Sequence, residues 1–240
     1  MQLNGKTILL TGGTDGIGLR LARQLREKGA SVIVTGRTPA RIAAAEAEGF
    51  EVIRAELTGP EGVEAVITGL GARPLDVLIN NAGMGANHDF RLAPPDPADD
   101  ERTLWLNLHA PICLIVRLMA ALRARQEAMI VNVTSGLAIA PNAGAPVYCA
   151  TKAALRSYTM ALRAQLKGTG VRVLEALPPM VDTQMTSDRT GGKISPEECA
   201  RQIISAMERG ADEANVGMVK FLRVVYSVSP ALARRIMIGF

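Results

Sequence analysis

Seven residues, Gly12-Gly13-Thr14-Asp15-Gly16-Ile17-Gly18, restrict the fold more than any other stretch of the chain. Before them, residues 7–11 form a short run with an apolar centre and no charge. After them, residues 19–28 are amphipathic and are stopped by Gly29. A strand buried on both faces that passes through glycines into a helix is the opening of a βαβ unit. Glycines permit the tight turn and close backbone approach, and the helix N-terminus offers unpaired N–H groups to an anion. Glycine can also simply end a strand, and the spacing is G-x-x-x-G-x-G rather than G-x-G-x-x-G. Its position after the first strand of an alternating chain favours a phosphate cradle.

The alternation continues to the end. Residues 31–35, 51–55, 75–79, 129–134 and 171–177 read as further buried strands, and 215–219 as a last one. Thr38-Pro39 opens one helix with a cap and a proline at its first position. Thr58-Gly59-Pro60-Glu61 and Ser195-Pro196-Glu197-Glu198 both have capping-box spacing, ahead of helices over 62–70 and up to Arg209. Longer helices are expected over 97–125 and 146–167. Six or seven strands alternating with helices give an α/β fold, a doubly wound parallel sheet in a single domain spanning 1–240. Ligands of such sheets sit at the C-terminal ends of the strands. Residues 182–195, polar and glycine-containing, read as a mobile lid.

Composition removes several classes of function. Aromatics are 3% of the chain and no basic run interleaves with stacking rings, so no nucleic-acid partner is expected. Cys113, Cys149 and Cys199 are isolated, which supports neither a disulfide framework nor a metal site, and suits a reducing compartment. The first six residues lead directly into a strand, so no signal peptide is expected. No apolar run approaches the ~20 residues of a membrane span, and a cytoplasmic protein is the expectation. The segment 221–240 is basic and amphipathic. Such a segment can lie on a membrane, but packing on its own domain or a second subunit is the commoner use, and membrane contact is not expected.

Candidate site residues collect at the strand ends. Where dinucleotide folds usually carry a carboxylate for the ribose, this chain has Gly36-Arg37. A guanidinium matches a 2′-phosphate by charge and fork geometry, so Arg37 favours NADP(H) over NAD(H), although it could be an ordinary surface arginine. Asp15 adds an opposing charge in the turn. Asn80-Asn81-Ala82-Gly83 suits the floor of a cofactor crevice, or simply satisfies the strand end. Pro111, inside the 97–125 helix, has no N–H for the Asn107 carbonyl. That carbonyl is then free for another donor such as water, or the kink serves packing alone. Tyr148 and Lys152 lie four apart on one helix face. An ammonium beside a phenol lowers a pKa that is ordinarily ~10. Alone, the pair is better explained by chance.

Taken in order, Thr11-Gly12-x-x-x-Gly16-Ile17-Gly18, Asn80-Asn81-Ala82-Gly83, Asn107, Ser135 and Tyr148-x-x-x-Lys152 resemble the classical short-chain dehydrogenase/reductase family over nearly the whole chain. The resemblance implies NAD(P)(H)-dependent interconversion of a small carbonyl compound and its alcohol. It implies Tyr148 as general acid/base, Ser135 holding the substrate oxygen, Lys152 lowering the Tyr148 pKa and binding the nicotinamide ribose, and the Asn107 main-chain carbonyl anchoring a relay water. Cofactor contacts are implied for Gly12, Thr14, Asp15, Gly16, Ile17 and Gly18 in the turn and Arg37 beyond the second strand. Others follow at Glu56, Leu57, Asn80, Ala82 and Gly83, then at Pro178, Val181 and Thr183, with Tyr148 and Lys152 reaching the cofactor as well. Two departures stand out: Pro178-Pro179 where Pro-Gly is frequent, and Glu56 where an Asp often meets adenine. A homodimer or homotetramer is implied by analogy. An NAD(H)-dependent dehydrogenase and a non-catalytic NAD(P)-binding regulator are the alternatives.

Overall fold

The computed structural model describes all residues except Ala86, Ala93 and Phe240. Seven parallel strands form one sheet in the order β3-β2-β1-β4-β5-β6-β7. They are β1 (Thr7–Leu10), β2 (Ser31–Gly36), β3 (Glu51–Arg54), β4 (Val77–Asn80), β5 (Ala128–Val133), β6 (Val171–Leu177) and β7 (Glu213–Asn215). The helices are α1 (Gly16–Glu27), α2 (Pro39–Ala47), α3 (Pro60–Leu70), α4 (Pro97–Leu104), α5 (Ala110–Arg123), α6 (Pro146–Gln165), α7 (Pro196–Arg209), α8 (Val219–Val228) and α9 (Pro230–Ile238). Strand side chains alternate between faces. Ile8, Leu10, Val34 and Ile79 pack on one side with Leu21 and Leu25 of α1 and Ile203 and Met207 of α7. Leu9, Ile33, Leu78 and Ile130 pack on the other with Val66 of α3, Leu114 and Leu118 of α5 and Leu162 of α6. With both faces covered, the strands can be continuously apolar, which is why they were readable as uncharged runs. The winding reverses between β1 and β4, and there the helices leave opposite faces and open a crevice.

Four details differ from expectation. The helix over 97–125 is broken by a π-helical turn at Trp105–His109, where Ala110 N–H reaches back five residues to the Trp105 carbonyl. The break therefore precedes Pro111, which sits harmlessly near the start of α5. The stretch Pro97–Arg123 is long and apolar enough to cross a membrane, contrary to the sequence reading. Its Leu106, Leu114, Ile115, Leu118 and Leu122 are instead buried against the sheet. The last strand ends at Asn215, where 215–219 was expected to begin. Val216 and Val219 are buried by packing, and left-handed Gly217 turns the chain into α8. Of the two capping boxes, that at Thr58 does not form, because Pro60 opens α3 and makes Gly59 the cap. At α7, Ser195 accepts from Glu198 N–H at 3.1 Å, but the Glu198 carboxylate goes to Arg201 and Gln202 rather than back to the cap.

Candidate active site

The crevice starts at the glycine turn. Gly12 (φ 64°) and Gly16 (φ 53°) are left-handed, where side chains are strained. A Cβ on Gly18 would lie 2.1 Å from the Gly12 carbonyl and 2.6 Å from Asn81 Nδ2. Two side chains weld this turn to the β4 exit. The Thr11 hydroxyl accepts from the N–H groups of Asn81 and Ala82, both at 3.0 Å. Asn81 Nδ2 donates to the carbonyls of Thr11 (3.0 Å) and Gly12 (3.2 Å). The result is a cleft of about 520 Å³, a size suited to a cofactor. A wider hollow of about 750 Å³ lies between α1 and α7, but charged surface side chains such as Arg20 and Glu197 line it and no expected site residue does.

Gly12, Thr14, Asp15, Gly16, Ile17 and Gly18 line the cleft at the turn. Arg37, Glu56, Leu57, Ala82, Gly83 and Thr183 line it further along. Asp15 does not oppose an anion unaided, because its carboxylate is paired with Arg41 at 3.0 Å. Arg37 is likewise paired with Glu56 at 3.1 Å, with both side chains about half exposed. Asn80 corrects the sequence reading. Its side chain is buried and donates to Asn132 Oδ1 at 2.8 Å, in a chain that continues to Thr159. Only its main chain can face a ligand, and Asn81 takes the expected place. The reason is the strand's period of two, which sends consecutive side chains to opposite sides. Val181 is also buried, and its backbone pairs with Ile194 to close the base of the lid. The Pro178 carbonyl accepts from Gly136 N–H at 2.9 Å, tying the Pro-Pro exit to the loop behind Ser135. Neither Pro178 nor Val181 lines the cleft described above.

At the inner end the four expected catalytic residues converge. Lys152, buried in α6, donates from Nζ to the Val133 carbonyl at 2.9 Å, and its Nζ stands 5.6 Å from the centre of the Tyr148 ring. Ser135 caps the turn after β5 by accepting from Leu137 N–H at 3.1 Å, and its hydroxyl acts on the Tyr148 phenol, pulling its pKa down. Asn107, in the π-helical turn, holds the Met84 main chain with both ends of its amide. It accepts from Met84 N–H at 2.9 Å and donates to the Met84 carbonyl at 2.8 Å. It also donates to Thr151 Oγ1 at 3.2 Å, and that hydroxyl donates to the Tyr148 carbonyl at 2.8 Å. One relay thus joins the β4 exit, the π turn and the catalytic helix. A Cβ on Gly83 would come within 3.2 Å of Asn107 Oδ1 and 3.5 Å of Lys152 Nζ, so the glycine keeps this corner open.

The electrostatics depart from the expectation that Lys152 holds the phenol down. Burial pushes the Tyr148 phenol up to about 12, against downward pulls from the Ser135 hydrogen bond and the Arg189 charge. Part of the Tyr148 surface remains open to solvent, which moderates the burial effect. Burial pushes Lys152 down to about 8. Sequence reasoning missed Arg189, Arg41 and Asn81. Arg189 in the lid donates to Asn87 Oδ1 at 2.6 Å, and Arg41 hydrogen-bonds Gln184, so the lid is tied at both ends of the cleft. Asn81 lay inside a quoted motif, and Arg41 follows Arg37 by one helical turn. Nothing in the sequence around Arg189 signals its position.

A parallel doubly wound sheet with a glycine-lined cleft and a Ser–Tyr–Lys cluster at its inner end is the architecture of a dinucleotide-binding fold. The chain belongs to the short chain dehydrogenase family of oxidoreductases, which its residues 6–193 match. It is 40% identical over 233 residues to DltE of Bacillus subtilis, described as an uncharacterized oxidoreductase, covering 93% of this chain and 92% of that one. It is 36% identical over 192 residues to serine 3-dehydrogenase of Rhizobium radiobacter, covering 78% and 76%. A short chain dehydrogenase from Burkholderia cenocepacia J2315, solved in complex with NADP, superposes with a TM-score of 0.89 at 26% identity over the full length of both chains.

Proposed function

We propose that this protein is an NADP(H)-dependent oxidoreductase interconverting a small carbonyl compound and its alcohol, with Tyr148 as general acid/base. The observation that supports the reading is the grouping of Tyr148 with Ser135, which acts on its phenol, and with Lys152, whose Nζ stands 5.6 Å from its ring centre. The bound nicotinamide supplies or accepts the hydride. Ser135 and Tyr148 together offer two hydroxyls to a substrate oxygen, and Tyr148 passes the proton to or from it. A phenol near 12 is fully protonated at neutral pH, so the site suits proton donation to a carbonyl, which is the reductive direction. Asn107 keeps the catalytic helix in register with the β4 exit. The glycine turn, packed too closely for any Cβ at Gly18, would hold the pyrophosphate, and Thr183 and Lys152 would hold the nicotinamide side.

NADP(H) is favoured by Arg37 and Arg41 on the cleft rim, and the Burkholderia relative carries NADP. Glu56 beside Arg37 supports NAD(H) as the second reading. Val116 and Met160, exposed on α5 and α6, offer apolar surface for a homodimer or homotetramer. The test is NADPH- and NADH-linked turnover over ketones, aldehydes and alcohols, together with cofactor binding by Arg37→Ala. Losing a charge-assisted contact weakens NADPH by about 10- to 100-fold and leaves NADH within about twofold. Equal losses would remove the 2′-phosphate argument, and cofactor binding without turnover on any substrate would favour a non-catalytic regulator.

A further inference from the structure

The C-terminal helices do more than pack on their own domain. The inner face of α8 is spent there: Val219, Leu222 and Tyr226 join Ile139 and Leu177. Val219 lies against Gly136 beside Ser135, and the Ile238 carbonyl at the end of α9 accepts from Ala143 N–H at 3.1 Å. The two helices pack on each other and back onto the loop that runs from Ser135 to Tyr148. Their outer faces are also apolar. Phe221 (61% exposed), Val224 (60%) and Val228 (82%) recur at the i, i+3, i+7 spacing of one α8 face, and Leu232 (51%) and Ile236 (47%) at the i, i+4 spacing of α9. Isolated exposed apolar residues need no explanation, but a contiguous stripe does.

Charge says what covers it. Residues 214–240 hold four of the 27 Lys and Arg and none of the 23 Asp and Glu, so the rest of the chain is formally neutral and the net +4 resides here. Arg223 is paired with Glu213 at 3.0 Å. Lys220, Arg234 and Arg235 have no ion-pair partner among the described residues. A second copy docking through this face about a two-fold axis would bring the same cations against one another. We infer that the outer face of α8 and α9 docks on an anionic lipid bilayer, apolar stripe inward and the flanking Lys220 and Arg235 at the headgroups. The loop bearing Ser135 would then lie about one helix diameter, roughly 10 Å, from the lipid.

The test is flotation of the full-length protein with vesicles of phosphatidylcholine alone or with one third phosphatidylglycerol, at low and high salt. Binding is expected only with the anionic lipid and is weakened by salt. Lys220→Gln/Arg235→Gln should lower the partition coefficient by roughly fivefold per residue removed, roughly 25-fold in all. Phe221→Ser/Val228→Ser should abolish binding. All four positions are exposed, so far-ultraviolet dichroism and NADPH binding should stay unchanged and report that both variants fold. No binding to anionic vesicles overturns the inference, as does equal binding by the Gln variant. It is also overturned if the Ser variant separates a dimer into monomers while vesicle binding is absent throughout.

Discussion

Asn107→Ala separates two roles that one residue combines. The substitution leaves the main-chain carbonyl in place and removes the amide that grips Met84 and Thr151. Three hydrogen bonds are lost, at 2.9, 2.8 and 3.2 Å. At about 1 kcal/mol each they sum to about 3 kcal/mol, more if the Met84 N–H stays unpaired. Thr151 still donates to the Tyr148 carbonyl, so it adds no orphaned donor. For a domain of this length 1 kcal/mol moves the unfolding midpoint by about 2–4 °C, so a drop of roughly 6–12 °C is expected in calorimetry. Because the relay also registers the catalytic helix against the cofactor floor, kcat should fall by about 10- to 100-fold, an ångström-scale misplacement being enough. NADPH affinity should change less than kcat. An unchanged midpoint with full activity would refute the relay. A lowered midpoint with full activity would make the amide purely structural and leave the main-chain carbonyl as the whole catalytic role of the position.

Three further outcomes follow from the same geometry. Gly18→Ala drives a methyl into the Gly12 carbonyl at 2.1 Å, so NADPH binding measured by fluorescence should be lost and stability should fall by about 1–3 kcal/mol; wild-type affinity would show that the turn is not the cradle. Below about pH 7 the reduction rate should be flat, with Tyr148 protonated and Lys152 charged, and it should decline through about pH 8 as Lys152 loses its proton. Oxidation needs the phenolate and should rise with pH. Arg189→Gln removes a charge that pulls the phenol down, so the rise should move to higher pH; a shift to lower pH would show that Arg189 does not act on Tyr148.

How far the sequence carried the structure depends on which physical constraint each residue answers to. The glycine turn was legible because a left-handed backbone and a close approach both demand glycine. The strands were legible because a sheet covered on both faces has no polar side to confuse the pattern. Tyr148 and Lys152 were legible because four residues make one turn. That the Asn80 side chain turns to Asn132 while Asn81 lines the cleft was not legible, because one position in a strand is a change of side. The π-helical turn left no mark, since Pro111 drew the eye to a break that occurs just before it. The amphipathic reading of 221–240 found one apolar face, whereas α8 has two, and Phe240 lies outside the described residues. The lid contacts of Arg41 and Arg189 are tertiary pairings that no local pattern encodes. Burial, which raises the Tyr148 phenol against the pulls of Ser135 and Arg189, is a tertiary effect that the spacing of Tyr148 and Lys152 does not report.

The central claim is that Tyr148 is the proton-transfer group of an NADP(H)-linked redox site. Tyr148→Phe removes one oxygen and keeps the ring beside Lys152. Measured by NADPH oxidation with the best carbonyl substrate, turnover should fall by about 100-fold or more, the usual contribution of a positioned acid. NADPH binding by the same protein should stay within about twofold of wild type. Turnover near the wild-type rate would contradict the account.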